Sequence, residues 1–182
     1  MDPKTKNTII GVTVALVLIL IVIGIVVLVK FYKDGKFDKH ITALKTRIYG
    51  PMLSTIYISK SAGIIELTRV YVYDDKDQDI TNTTEWESTA NSMYNTNGTH
   101  DPSGVISGNN QYHSVAPGEN EWVRLVAKEP LRKVKKVVVV GNPTWLSRWK
   151  DTSIVITASD GSTMATHTVN NTATTVEATI TV

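Results

Sequence analysis

An all-β fold, a jelly-roll-like antiparallel β-sandwich preceded by one N-terminal transmembrane α-helix, is predicted by three observations on this 182-residue chain. Residues 8 to 29 form an aliphatic run without a single charge. From Ile64 onward, short β-branched and aromatic runs alternate with polar turns, the pattern of many short strands rather than of helices. Beyond residue 29 no window combines sustained helical periodicity with capping residues.

The elements follow in order. Residues 1 to 7 are a short tail, and residues 8 to 29 read "TIIGVTVALVLILIVIGIVVLV". As a helix this run extends about 33 Å at about 1.5 Å per residue, enough to cross a hydrocarbon core of about 30 Å. The apolar core of a secretory signal spans only about 7 to 15 residues. The run also ends on Lys30, Phe31, Tyr32 and Lys33, a basic and aromatic border of the kind that anchors a span at the membrane interface. Residues 30 to 59 then read as a basic collar and stalk, broken at Gly50-Pro51, with an extended piece at residues 54 to 58.

Charge sets the expected orientation. Residues 1 to 59 hold eight basic and three acidic groups, whereas residues 60 to 182 hold 11 basic and 14 acidic ones. Six of the basic groups, Lys30 to Arg47, lie just after the span against Lys4 and Lys6 before it. The positive-inside rule therefore puts residues 60 to 182 on the cytoplasmic side, with the collar against anionic headgroups of the lipid bilayer. The absence of cysteine excludes a disulfide-stapled ectodomain. Glycosylation sequons stand at Asn82, Asn97 and Asn170, and a cytoplasmic domain would leave them unmodified.

Within residues 60 to 182 the strand-like runs are "IIELTRVYVY", "EWVRLVA", "VKKVVVV", "TSIVITA", "TMATHTV" and "TTVEATITV". About 47 residues rich in Asn, Thr, Ser and Gly separate the first two. That is too long for a hairpin loop, so the segment is either functional or holds short strands of its own. Six or more strands in about 120 residues imply a sandwich. The stretch "DDKDQD", which follows the first run, reads as a solvated turn whose Asp side chains bond their own backbone. Asp75, Asp77 and Asp79 match the first three ligand positions of a calcium loop, but Ile80 stands where Gly is needed and Trp86 where the bidentate Glu belongs. They are weak metal candidates, and no cofactor is expected.

Three segments carry a resemblance: "IELTRVYVYDDKDQDIT", "GVISGNNQYHSV" and "EWVRLVAKEPLRKVKKVVVVGNPTWLSRWKDTSIVITASDGSTM". In this order, over about 105 residues, they resemble the discoidin or coagulation factor 5/8 type C family, a galactose-binding-like sandwich. The resemblance implies a binding domain whose loops carry the ligand site, near His113 and Trp122. It also implies that Trp149 opens a strand and packs inward, leaving Trp145 as an exposed anchor beside Leu146. Fucose-binding members use a His and two Arg. Arg148 stands at the second Arg place, but Gly141 occupies the first and Pro143 replaces the intervening Asp. Fucose recognition thus loses a bidentate donor, while another glycan stays open.

Enzyme signatures are missing: the sequence has no Cys, no G-x-S-x-G, no phosphate loop and no H-E-x-x-H, and its four histidines lack ligand spacing. The basic cluster "LRKVKK" lacks interleaved aromatics, so it reads as a strand edge guarded by Lys and not as a nucleic-acid contact. Protein or glycan binding is expected at Trp145, Leu146, Arg148 and His113. In layout the chain is similar to membrane-anchored minor capsid proteins of large icosahedral double-stranded DNA viruses of algae. That resemblance implies a non-enzymatic structural protein joining an internal virion membrane to the capsid shell. The alternative is a cell-surface, lectin-like carbohydrate-binding module.

Overall fold

The computed structural model of the chain describes residues 20–27, 29, 30, 32, 41, 44, 48, 50–94, 100–109, 111–114, 118–170 and 172–182. Two compact units are present, residues 1–45 and 46–182. In the first, residues 20–27 are helical and exposed. The remainder of the expected span, residues 8–19 and 28, lies outside the described residues, as do Phe31 and Lys33 of the expected interface border. Among the described residues no helix is long and apolar enough to cross a membrane.

The second unit is an all-β sandwich. Its strands are β1 (Leu53–Gly63), β2 (Glu66–Asp74), β3 (Trp86–Ala90), β4 (Tyr112–His113), β5 (Gly118–Leu131), β6 (Val134–Gly141), β7 (Ser153–Ala158), β8 (Thr163–Thr168) and β9 (Glu177–Thr181). They form a five-stranded sheet in the order β3-β5-β1-β7-β8 and a four-stranded sheet in the order β4-β2-β6-β9. Every pairing is antiparallel. Two single-turn helices, α1 (Gly104–Ser107) and α2 (Leu146–Trp149), lie in the connections.

Period-two alternation builds the core. Ile56 and Ile58 of β1, Val123 and Leu125 of β5, and Ile154 and Ile156 of β7 point inward from one sheet. Val70 and Val72 of β2, Val137 and Val139 of β6, and Ile180 of β9 meet them from the other. Burying each such side chain stabilises the fold by about 1.5–3 kcal/mol, so the inward positions of two facing sheets make one continuous core.

The start of the sandwich corrects the expected boundary at residue 60. Residues 53–59, expected in the stalk, belong to β1, which is the middle strand of the five-stranded sheet and pairs with both β5 and β7. The extended piece expected at residues 54 to 58 lies within β1, but a register shift between Leu53 and Thr55 breaks the alternation, so the full length of the strand does not show in the sequence. The long segment between the first two expected strands holds β3, α1 and β4. The cluster "LRKVKK" is also differently placed. β6 lies inside its sheet between β2 and β9, so its lysines guard no edge. Instead Lys135 and Lys136 reach Asp77 at 2.7 and 3.2 Å.

Candidate functional site

The acidic stretch after β2 is a turn. Asp74 Oδ1 accepts from the backbone N–H of Lys76 and Gln78, both at 2.9 Å, and Asp77 takes a left-handed φ of 59°. Asp79 Oδ1 accepts from the Thr81 N–H at 2.9 Å, while Thr81 Oγ1 accepts from the Val72 N–H at 2.8 Å. Asp75 faces Lys133 at 3.9 Å, and hydrogen bonds from Lys135 and Lys136 hold the Asp77 carboxyl below its ordinary range. The three candidate aspartates thus point to different partners. Among the described residues no group of three His, Cys, Asp or Glu is placed to hold a metal.

A second polar group lies at the start of β2. Glu66 sits between Ile65 and Leu67, which are both fully buried, and is itself nearly buried. A carboxylate in such a place must be hydrogen-bonded. Arg148 Nη1 reaches Glu66 Oε2 at 2.7 Å, and Asn142 Nδ2 donates to Glu66 Oε1 at 2.6 Å. Register places His113 of β4 directly opposite Glu66, with His113 Nε2 2.9 Å from Arg148 Nη1. Burial pushes the His113 imidazole below its ordinary value; Glu66 opposes this, while Arg148 and His100 add to it. In the neutral ring Nε2 accepts from Arg148, which leaves the proton on Nδ1.

The loop from β6 to β7 is shaped for this contact. Asn142 Oδ1 accepts from the Thr144 N–H at 2.8 Å and caps a single 3-10 turn, Pro143–Trp145, in which Pro occupies the first turn. Its Nδ2 also donates to Gln111 Oε1 at 3.1 Å. Trp149 ends α2 with 1 % exposure, so it packs inward as expected, but from a helical turn and not from a strand start. A Cβ on Gly141 would lie 2.9 Å from the Trp149 ring, which leaves no room there for the Arg of a fucose site. Lys60, on the buried row of β1, holds the loop by donating to the Arg148 and Ser147 carbonyls at 3.0 and 3.5 Å.

Trp145 stands outside this framework with 47 % exposure. The Arg148 guanidinium lies over its ring, 4.4 Å from the centroid. Leu146 is half-buried and, with Pro143, Val176 and Glu177, lines an open depression of about 600 Å³. The four residues expected at the site therefore divide into two parts. Arg148 and His113 meet inside a hydrogen-bonded corner, while Trp145 and Leu146 form the adjoining surface. Glu66, Asn142, Gln111 and Lys60 were not expected there. Two signals point to Glu66 and Asn142, a carboxylate between two apolar residues and Asn-Pro at a turn start, and none to Gln111 or Lys60. His113 Nε2 and both Glu66 oxygens are already occupied, so the corner offers a fixed cation and an aromatic face, not a free base. No family model matches the chain, and no curated protein or solved structure is found to match it.

Proposed function

We propose that the chain is a non-enzymatic, single-span membrane protein whose jelly-roll-like, discoidin-type sandwich docks on a structural protein, as a minor capsid protein joining an internal virion membrane to the capsid shell. The uncharged run at residues 8 to 29 and the basic collar support the anchor. The observation that carries the docking reading is the Trp145–Arg148 stack. An exposed Trp is covered on one face by an Arg that Glu66 and His113 fix from behind. Exposed aromatics and Arg held in one geometry are what protein interfaces concentrate at their hot spots, because little side-chain entropy remains to be lost on binding.

A glycan in the His113–Arg148 corner is the second reading, favoured by the 2.9 Å approach of two residues that lie 35 positions apart. Against it stand the internal occupancy of His113 Nε2 and the Trp149 ring packed under Gly141.

The test is Trp145→Ala in the full-length protein, with capture of the shell protein and incorporation into particles as readouts. Loss of affinity by about thirtyfold, with melting temperature nearly unchanged, is expected for a central aromatic anchor. Unchanged capture by Trp145→Ala, together with glycan binding that Arg148→Lys abolishes, would replace this reading with the lectin one.

A further inference from the structure

On the five-stranded sheet, Tyr57 of β1 and Trp122 of β5 project from the face opposite the core, since their strand neighbours Ile56, Ile58 and Val123 are fully buried. Register sets Tyr57 opposite Arg124 and Trp122 opposite Ser59, so the two rings are diagonal neighbours. They stack with centroids 6.0 Å apart and planes 27° from parallel, and both stay half-exposed. With Ser59, Lys60, Asn120 and Asp151 they line a cleft of about 310 Å³, at the lower end of the range of about 300–1,000 Å³ for small-ligand sites.

The rim is chemically mixed. Asn120 and Asp151 both take a left-handed backbone, with φ of 60° and 59°, a conformation that Asn and Asp accept more readily than other residues with a Cβ. The two charged residues that line the cleft, Lys60 and Asp151, are of opposite sign, so the lining carries no net charge to attract a phosphate or an acidic polymer. What the cleft offers is a pair of half-exposed aromatic rings with a carboxylate acceptor, an amide that both donates and accepts, and small hydroxyls around it. A pyranose has the matching chemistry: C–H groups on one face, and hydroxyls at its edge that each donate and accept.

We propose that this cleft binds a neutral oligosaccharide, with Trp122 and Tyr57 as the stacking platform and Asp151 and Asn120 as hydroxyl partners. The cleft adjoins the Arg148 loop through Lys60, whose Nζ donates to the Arg148 carbonyl at 3.0 Å, but its aromatic pair and its hydroxyl partners are not residues of the His113–Arg148 corner.

Full-length protein in a sugar-free detergent, titrated with neutral tetrasaccharides of glucose, mannose, xylose and galactose, tests it through tryptophan fluorescence and calorimetry. At least one tetrasaccharide should bind with a Kd between about 10 µM and about 1 mM. Trp122→Ala and Asp151→Asn should each weaken it by about tenfold or more, while Thr163→Ala, on the edge strand β8, leaves it unchanged. If Trp122→Ala does not fold, Asp151→Asn and protection of Trp122 from chemical oxidation by bound sugar decide the matter. Failure of all four sugars to bind would overturn the proposal. So would binding that survives both substitutions, or a saturable preference for a proline-rich peptide over every sugar.

Discussion

At the residue scale, His113 makes the corner sensitive to pH. Its imidazole is held below its ordinary value of 6.5, chiefly by burial and further by Arg148 and His100. Because the folded state resists protonation, the unfolded chain binds the extra proton first as pH drops through 6.5. The stability that the neutral ring contributes is therefore complete above that value, is lost as pH falls through the interval down to the lowered folded value, and levels off below it. Melting temperature should fall between pH 7.5 and about pH 5.5. Part of the fall should vanish in His113→Gln, whose amide oxygen can still accept from Arg148. An equal fall in both proteins would show that other groups carry the effect. Arg148 is poorly suited to a test of binding alone, since its removal leaves the Glu66 carboxylate without its cation and costs about 1–3 kcal/mol of stability.

At the element scale, β1 decides where the sandwich begins. Leu53, Ile56 and Ile58 are fully buried, and the strand is bonded on both sides. Truncating any one of these side chains to Ala costs about 2–5 kcal/mol. Deleting all three with both ladders exceeds the total of about 5–15 kcal/mol that holds a domain together. A fragment of residues 50–182 should therefore give a β-type circular dichroism spectrum and a cooperative melt, and one of residues 60–182 should give neither. A folded 60–182 fragment would mean that β1 is dispensable. The same strand shows where the sequence stops being legible. β2, β5, β6, β7, β8 and β9 announce themselves because apolar residues recur in regular runs between turns. β1 shows only in part, as the extended piece at residues 54 to 58, because its bulge breaks the alternation after Leu53 and its inner row ends on Lys60. β3 and β4 are too short to show a period, at five and two residues. At the site, Arg148, His113 and Trp145 could be named from residue type and spacing. Glu66 and Asn142 leave only local signals, a carboxylate between apolar residues and Asn-Pro at a turn start, because their meeting depends on β2 pairing with β4 and on the loop after β6 folding back over β2. Both are products of register that a linear reading does not contain.

At the scale of the whole molecule, the two proposed contact surfaces bear on which side of a membrane the sandwich occupies. The basic groups that follow the apolar run argue for the cytoplasmic side, where a shell assembling in cytoplasm would meet Trp145. The sequons allow a direct test. Asn82, in the 3-10 turn after the acidic loop, and Asn170, after β8, are both exposed. Asn97 lies outside the described residues. Acceptors so placed are open to modification wherever the transferring enzyme can reach them, so their state reports sidedness and not burial. When the full-length protein is synthesised into eukaryotic microsomes, it should remain with the membranes through a carbonate wash and run at the mass of the unmodified chain. Added protease should remove the sandwich. A glycosylated, protease-protected product would place the sandwich on the luminal side, away from any cytoplasmic shell. The oligosaccharide cleft at Tyr57 and Trp122 would then be the surface that faces its partner.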